Sequence, residues 1–248
     1  FYVQGYTRRQ LKEDKFVESA QGAAQWVSSH QRALIWSIST LVVVTLLVVG
    51  LIAWQSRQSD QANMALGAAM RTFSEPLHPA GAPATDANAG YATLAERGKA
   101  SEKDFKSVAD EFPHTRPGKI ARYMAGVAAV QAGDKAGAEQ QLKAASDSDD
   151  KGVASLAKMA LGNFYRANNR QSDAVRIYKD LSEHPSDTVS KAEAQLELAA
   201  AYEATDPQQA TTLYQQIQKE NPQSPAAQTA AARLSGGKQA GQNLNLHF

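Results

Sequence analysis

The feature that most constrains this chain is a stretch of 24 consecutive uncharged residues between Arg32 and Arg57. As an α-helix it would be about 36 Å long, enough to cross a hydrocarbon core of roughly 30 Å. Trp36 and Trp54 stand near its two ends, where indole side chains favour the boundary between membrane and water. The sequence therefore predicts one transmembrane helix over residues 33–56, with Trp36 and Trp54 as membrane-interface anchors.

Basic residues indicate how this helix would be oriented. They are more frequent before the uncharged stretch, at Arg8, Arg9, Lys12, Lys15 and Arg32, than shortly after it, at Arg57 and Arg71. Such an excess marks the cytoplasmic side of a membrane. The apolar region is too long for a cleaved signal peptide, and no clear cleavage site follows it. We expect an uncleaved anchor, a cytoplasmic N-terminal segment at residues 1–32, and the rest of the chain outside.

Composition limits the fold class, the partners and the kinds of site that the rest of the chain can have. The net charge is +1, so no global electrostatic field favours nucleic acid as a partner. Alanine is abundant after residue 60, which favours close-packed helices over a sheet. The chain has no cysteine, which excludes disulfides and thiolate metal sites.

Three columns of residues repeat at a fixed period after the apolar stretch. The large side chains of the first column follow one another at spacings of 37, 36 and 36 residues: Phe105, Leu142, Tyr178 and Tyr214. Four positions before each stands a small residue: Ser101, Ala138, Ala174 and Ala210. Three positions after each stands Val108, Ala145, Leu181 or Ile217. This register indicates a stack of similar helix pairs.

Turn residues divide each unit into two helices. Gly133 with Asp134, and Asn168 with Asn169, mark the tight turn between the helices. Pro113, Pro185 and Pro222 close three of the units, and the polar residues 147–150 take that place in the fourth. Gly126 and Gly162 would let the paired helices approach closely.

The flanking segments complete the predicted organisation. Residues 57–90 would form a juxtamembrane helix and a Pro/Ala-rich loop, residues 91–235 the repeat domain, and residues 236–248 a flexible tail. The helix at 58–73 would present Leu66, Met70 and Phe73 on one face and pair with a helix at 91–112 as a split first repeat. A helix at 224–234 would cap the stack.

The columns resemble the tetratricopeptide repeat, whose pattern is L-G-x-x-Y, then G-D, then A-x-x-x-[FY], then P. Residues 161–165 and 133–134 match its first two parts, and Ala174 with Tyr178 matches the third. The period of about 36 is longer than the usual 34, which suggests a divergent version. The predicted fold class is all-α: one N-terminal transmembrane helix followed by a tetratricopeptide-like helix-pair solenoid.

No pattern for catalysis, a metal or a cofactor stands out. The five histidines are scattered over different segments. Residues 147–152 are similar to the start of a calcium loop, but Lys158 stands where a glutamate ligand is required, so a turn that caps a helix is the better interpretation. We therefore predict no enzyme, no metal site and no cofactor.

In tetratricopeptide stacks the first helix of each unit lines a concave surface. The resemblance places these residues there as a partner groove: Tyr123, Val127, Gln131, Met159, Asn163, Arg166, Leu196 and Glu203, with Ala200 beside them. Apolar anchors mixed with polar groups suit a peptide or a partner helix. Some of these side chains could instead pack between neighbouring helices. The groove lacks the cluster of basic residues that would hold a C-terminal carboxylate.

The arrangement as a whole resembles the YfgM-like family, ancillary tetratricopeptide subunits of the bacterial SecYEG translocon. The likeness rests on the pattern T-R-x-x-L-K-x-D-x-F at residues 7–16, the single span, and the repeat junctions at 112–115 and 221–224. It implies a protein of the bacterial inner membrane with a periplasmic repeat domain. Its partners would be translocon subunits and a periplasmic chaperone or an emerging secreted chain.

Two other interpretations remain open. The same repeats could coordinate components of the cell envelope, or brace another large membrane complex as a fixed subunit. Co-purifying proteins would separate both alternatives from the translocon interpretation.

Overall fold

The structure is a computed structural model that describes residues 31–78 and 90–244. The predictions for residues 1–30, for the proline-bearing loop at 79–89 and for the last four residues lie outside the described residues. The chain divides into two compact units, Phe1–Arg57 and Gln58–Phe248.

Every helix or strand element in the described ranges is an α-helix. In chain order these are α1 (Gln31–Ser74), α2 (Leu94–Glu111), α3 (Arg116–Ala132), α4 (Lys135–Ser146), α5 (Lys151–Ala167), α6 (Gln171–Glu183), α7 (Lys191–Tyr202), α8 (Pro207–Glu220) and α9 (Pro225–Leu244). One isolated parallel bridge joins Leu77 to Tyr91. The all-α prediction is confirmed.

The described part of the first unit is an apolar helix whose large side chains are about half exposed or more. The large aliphatic residues between Leu41 and Ile52 are each 48% to 66% exposed, and Trp36 and Trp54 are 75% and 60% exposed. By length and composition α1 could cross a membrane, and none of the other described helices meets that criterion. The role of the two tryptophans as interface anchors stays a prediction.

The second unit is built on the three repeating columns. All twelve of their side chains are buried, with exposed fractions of 5% or less. The columns lie on α2, α4, α6 and α8, the second helices of successive pairs. The sequence period therefore marks the interior of the stack, because each unit must bury its own apolar face against its neighbours.

The first helix pair is split by the long connection that precedes α2. Ala62 and Ala69 of α1 are buried in one cluster with Phe105 of α2. The rings of Phe73 and Phe105 are 5.9 Å apart, and Thr72 donates a 2.8 Å hydrogen bond to Asp104. This pairing agrees with the prediction, although α2 begins at Leu94 instead of residue 91.

Glycine allows two of the helix pairs to come close. A Cβ atom on Gly126 would lie 2.6 Å from Cγ of Leu142, and one on Gly162 would lie 2.5 Å from Cε1 of Tyr178. Real Cβ atoms do not approach so closely, so any larger residue would push the helices apart. The large residue of the second helix thus occupies the space left by the glycine of the first.

Caps set where the helices begin. The side chain of Asp150 accepts a 3.1 Å hydrogen bond from the backbone N–H of Val153, which confirms that the polar turn at 147–150 caps a helix. Ser190 and Glu193 form a capping box at the start of α7. The closing prolines, Pro113, Pro185 and Pro222, each stand two residues beyond a helix end.

Two details differ from the sequence predictions. Met70 is 38% exposed, because the buried face of α1 is formed by Ala62, Ala69 and their neighbours. The last helix, α9, continues to Leu244, beyond the predicted end of the capping helix at residue 234, and the flexibility of the tail stays a prediction. Gly236, Gly237 and Gly241 lie in this part of α9, and each costs a helix about 1 kcal/mol, while the residues at 238–240 are good helix formers.

We expect Gly162→Ala to lower the free energy of unfolding by about 1–3 kcal/mol, because the new methyl group would overlap the Tyr178 ring. Chemical denaturation of the full chain in detergent, followed by circular dichroism, measures the change. The control is Gly67→Ala on α1, where no atom lies within 4 Å of the added Cβ. It should be neutral or stabilising by up to about 1 kcal/mol. Equal effects of the two substitutions would contradict this account.

We expect Ser101→Ala to raise the free energy of unfolding by about 1 kcal/mol. The Oγ atom of Ser101 is fully buried without a hydrogen-bond partner, and the other three units carry alanine in this column. The exposed Ser107 on the same helix is the control for helix propensity. A gain no larger than that of Ser107→Ala would show that the buried hydroxyl carries no penalty.

Candidate functional site

A surface cavity of about 580 Å³ opens between α3 and α5. Tyr123, Val127 and Gln131 of α3 form one wall, and Asn163 stands on the opposite wall. Leu142, the large column residue of α4, also contributes to the lining. Tyr123 and Val127 are half-buried and Leu142 is fully buried, so only part of the apolar lining is accessible to a partner.

A second cavity of about 250 Å³ lies between α5 and α7. Met159 and Leu196 provide apolar lining, and Glu193 and Glu197 provide carboxylates. Asn163 lines this cavity as well as the first. The two cavities are therefore adjacent, and we refer to them together as the groove.

Six of the eight predicted groove residues line one of these cavities. They are Tyr123, Val127, Gln131, Met159, Asn163 and Leu196. Arg166 instead forms an ion pair with Glu197, with Nη2 and Oε2 2.9 Å apart. Whether any of these residues contacts a partner stays a prediction.

Glu203 lies elsewhere. It lines a different cavity, of about 710 Å³, formed with residues of α8 and α9. Its Oε1 atom accepts a 2.7 Å hydrogen bond from the hydroxyl of Tyr214, and Arg233 approaches Oε2 to 3.3 Å. The structure thus separates Glu203 from the groove: its side chain ties α8 and α9 to the end of α7.

Several lining residues were not predicted. Val130 is 48% exposed in the larger cavity, and Phe164 is nearly buried beside it. Val130 follows Val127 by three positions, so helical periodicity could have identified it. Thr188 and Val189 come from the loop before α7, and the repeat pattern gives no signal for a loop residue.

The position of Asn163 depends on a core tyrosine. The hydroxyl of Tyr178 donates a 2.7 Å hydrogen bond to Oδ1 of Asn163. Burial raises the pKa of Tyr178 above its ordinary value of 10, so the hydroxyl keeps its proton at neutral pH. Tyr178 therefore packs in the interior against Gly162 and also orients a side chain on the groove surface.

A polar cluster links α4, α5 and α6 behind the larger cavity. Glu139 accepts hydrogen bonds from the hydroxyl of Tyr165 at 3.0 Å and from Arg170 at 2.9 Å, and Lys143 lies 2.6 Å away. Arg170 also stacks over the Tyr165 ring, 4.0 Å from its centroid. These contacts, above all the hydrogen bond from Lys143, lower the pKa of Glu139 from 4.5 to about 2.

No group of three or more histidine, aspartate or glutamate side chains within the described ranges is arranged to hold a metal ion. His78 accepts a 2.9 Å hydrogen bond from the backbone N–H of Gly90, and His184 lies beside Asp180. Both histidines thus have local structural partners.

Comparison with known families identifies the repeats. The family model described as "Tetratricopeptide repeat-like domain" matches residues 24–177, more than half of the chain, and a second, "Tetratricopeptide repeat", matches residues 193–224. The chain therefore belongs to the tetratricopeptide repeat-like domain family. Searches of curated proteins and of solved structures found no match. Such repeats are typically non-enzymatic modules for protein interaction.

We expect Glu139→Gln to destabilise the repeat domain at neutral pH, because it removes a carboxylate that is stabilised by its neighbours. Since the pKa of Glu139 is lower in the folded state, its charge stabilises the fold fully above about pH 4.5. This contribution is lost as the pH falls from 4.5 through about 2. Denaturation midpoints of the wild type and the variant should therefore converge in acid.

The control is Glu183→Gln at the exposed end of α6, where the described contacts include no ion pair. It should leave the midpoint nearly unchanged at every pH. A constant difference between Glu139→Gln and the wild type from pH 7 to pH 3 would rule out the electrostatic explanation.

Proposed function

We propose that this chain is a membrane-anchored scaffold that binds a segment of another protein in the groove between α3, α5 and α7. The observation that carries the proposal is an apolar lining that the repeats leave only partly buried. Tyr123, Val127 and Val130 surround the larger cavity, and Met159 and Leu196 continue the lining in the smaller one. Val130 is exposed and the other four are half-buried, and a partner that packs on them would bury the apolar surface that remains in contact with water.

The anchor is the uncharged part of α1. Its aliphatic side chains are about half exposed or more, a costly arrangement in water and a favourable one in lipid. The excess of basic residues before it supports a cytoplasmic N-terminus. On this proposal the repeat domain lies on the outer side of a bacterial inner membrane, in the periplasm.

The resemblance to the YfgM-like family suggests a more specific role. The chain would be accessory to the Sec translocon and would hold a periplasmic chaperone or an emerging secreted chain. Anchoring supports such a role physically, because tethering raises the local concentration of a binding site to about the millimolar range. A groove of modest affinity would then suffice near the site where clients appear.

Site-specific crosslinking tests the groove. The chain contains no cysteine, so a single introduced cysteine can be labelled selectively with a photoreactive benzophenone. Ala167→Cys would place the probe in the lining of the larger cavity, and Ser172→Cys would place it at an exposed site on α6 outside both cavities. In native membranes we expect protein adducts from position 167 and far fewer from position 172.

The identity of the adducts discriminates among roles. Translocon subunits, a periplasmic chaperone or secreted chains would support the translocon role. Another membrane complex recovered in fixed ratio would favour a bracing subunit, and envelope components would favour a coordinator. Equal adduct formation at both positions, or none at position 167, would reject the groove as a binding site.

Apolar anchors in the groove should contribute most to such binding. We expect the combined substitutions Tyr123→Ala, Met159→Ala and Leu196→Ala to reduce adduct yield at position 167 several-fold, because they remove large side chains that would contact the partner. Circular dichroism should show unchanged helicity. Undiminished adducts from a folded triple variant would show that these three side chains are not the contacts.

A further inference from the structure

The two cavities of the groove differ in charge. Among the described residues that line the smaller cavity, Glu193 and Glu197 are charged and no lysine or arginine is present. The described lining of the larger cavity contains no carboxylate, and Lys135 is its one charged side chain. A ligand that occupies both cavities therefore meets a neutral to weakly positive surface at one and a negative surface at the other.

The negative charge of the smaller cavity is only partly neutralised. Arg166 pairs with Glu197 at 2.9 Å. Glu193 accepts hydrogen bonds from the backbone N–H and hydroxyl of Ser190, at 2.8 Å and 2.9 Å, and these neutral donors leave its charge in place. Lys158 and Lys191, on the helices that form this cavity, are already paired, with Asp180 and Glu220 respectively. Lys151, at the start of α5, is outside the lining, so the lining residues together with Arg166 carry about one net negative charge.

Apolar residues line the same cavity as that charge. Leu156, Met159 and Leu196 line the same cavity as Glu193. A lysine or arginine side chain suits such a surface, because its aliphatic stem packs on apolar residues while its head group reaches a carboxylate. The larger cavity, with Tyr123, suits a large apolar side chain.

Asn163 stands where the cavities adjoin. Its Oδ1 atom is occupied by the Tyr178 hydroxyl, and among the described hydrogen bonds its amide N–H₂ group has no acceptor. A hydrogen-bond donor fixed between two side-chain cavities is suited to a backbone carbonyl of the ligand. In an extended chain, residues two apart point to the same side at about 7 Å separation. This spacing allows alternate side chains to enter neighbouring cavities.

From these observations we infer that the groove recognises an extended polypeptide segment with a large apolar residue and a lysine or arginine two positions apart, its backbone carbonyl bound by Asn163. This inference rests on the proposed function and specifies the partner's chemistry. Glu193 selects for the basic side chain, and Tyr178 acts as a positioning residue through Asn163.

Binding of defined peptides to the full-length chain in nanodiscs tests the inference by surface plasmon resonance. The probes are capped ten-residue glycine–serine peptides, titrated up to millimolar concentration. The first carries leucine and lysine two positions apart, the second leucine and glutamate, and the third serine and lysine. We expect the leucine–lysine peptide to bind about tenfold more tightly than either of the others.

Three variants relate peptide binding to individual residues. Glu193→Gln removes the charge while glutamine retains the capping box, so it should reduce the lysine-over-glutamate preference to about threefold or less. Asn163→Ala should weaken the leucine–lysine and leucine–glutamate peptides by a similar factor, because the backbone contact is independent of side-chain charge. Tyr178→Phe should reproduce the effect of Asn163→Ala with helicity unchanged.

Three results would overturn the inference: no binding of any peptide, equal binding of the lysine and glutamate peptides, or an unchanged preference in Glu193→Gln. These outcomes are separable from failure of the proposed function. If position 167 still forms specific adducts in membranes, the groove binds proteins and only the inferred ligand chemistry is wrong. If those adducts are absent, the groove function itself fails.

Discussion

The packing of the repeat domain depends on two glycines, each of which leaves room for a large side chain from the neighbouring helix. Gly126 and Gly162 leave space on the first helix of a pair, and Leu142 and Tyr178 fill that space from the second. This contact sets the distance between the paired helices, since neither partner can change without a clash or a void. The groove is formed by the same first helices, and Leu142 also lines it, so the shape of the groove depends on this fit.

The buried part of this architecture could be predicted from sequence because burial repeats with the structural period. Each unit presents the same faces to its neighbours, so Phe105, Leu142 and Tyr178 stay in register along the chain. The helix boundaries could also be predicted, because they depend on capping residues and closing prolines that lie close to them in the sequence. The end of α9 was harder to predict, because its three glycines weaken the helix while the good helix formers at 238–240 favour its continuation.

The groove could be predicted only in part. The resemblance to the tetratricopeptide repeat led to Tyr123 and Asn163, since it assigns one face of each first helix to the concave surface. The placement of Glu203 and Arg166 depended on partners elsewhere in the chain. Tyr214 and Arg233 contact Glu203, and Glu197 forms an ion pair with Arg166. Sequence alone does not show which charged side chains will meet. The loop residue Val189 was missed because the repeat pattern does not extend to loops.

Tyr178 belongs to the buried core and also bonds a residue of the groove surface, and this has an evolutionary consequence. At the equivalent positions Phe105 and Leu142 satisfy the packing requirement without any hydroxyl. An exchange of Tyr178 for phenylalanine would thus preserve the volume of the core and still release Asn163 from its hydrogen bond. On the proposed mode of binding, the Tyr178 hydroxyl is subject to selection for ligand choice, because its loss would change binding without a change in any surface residue.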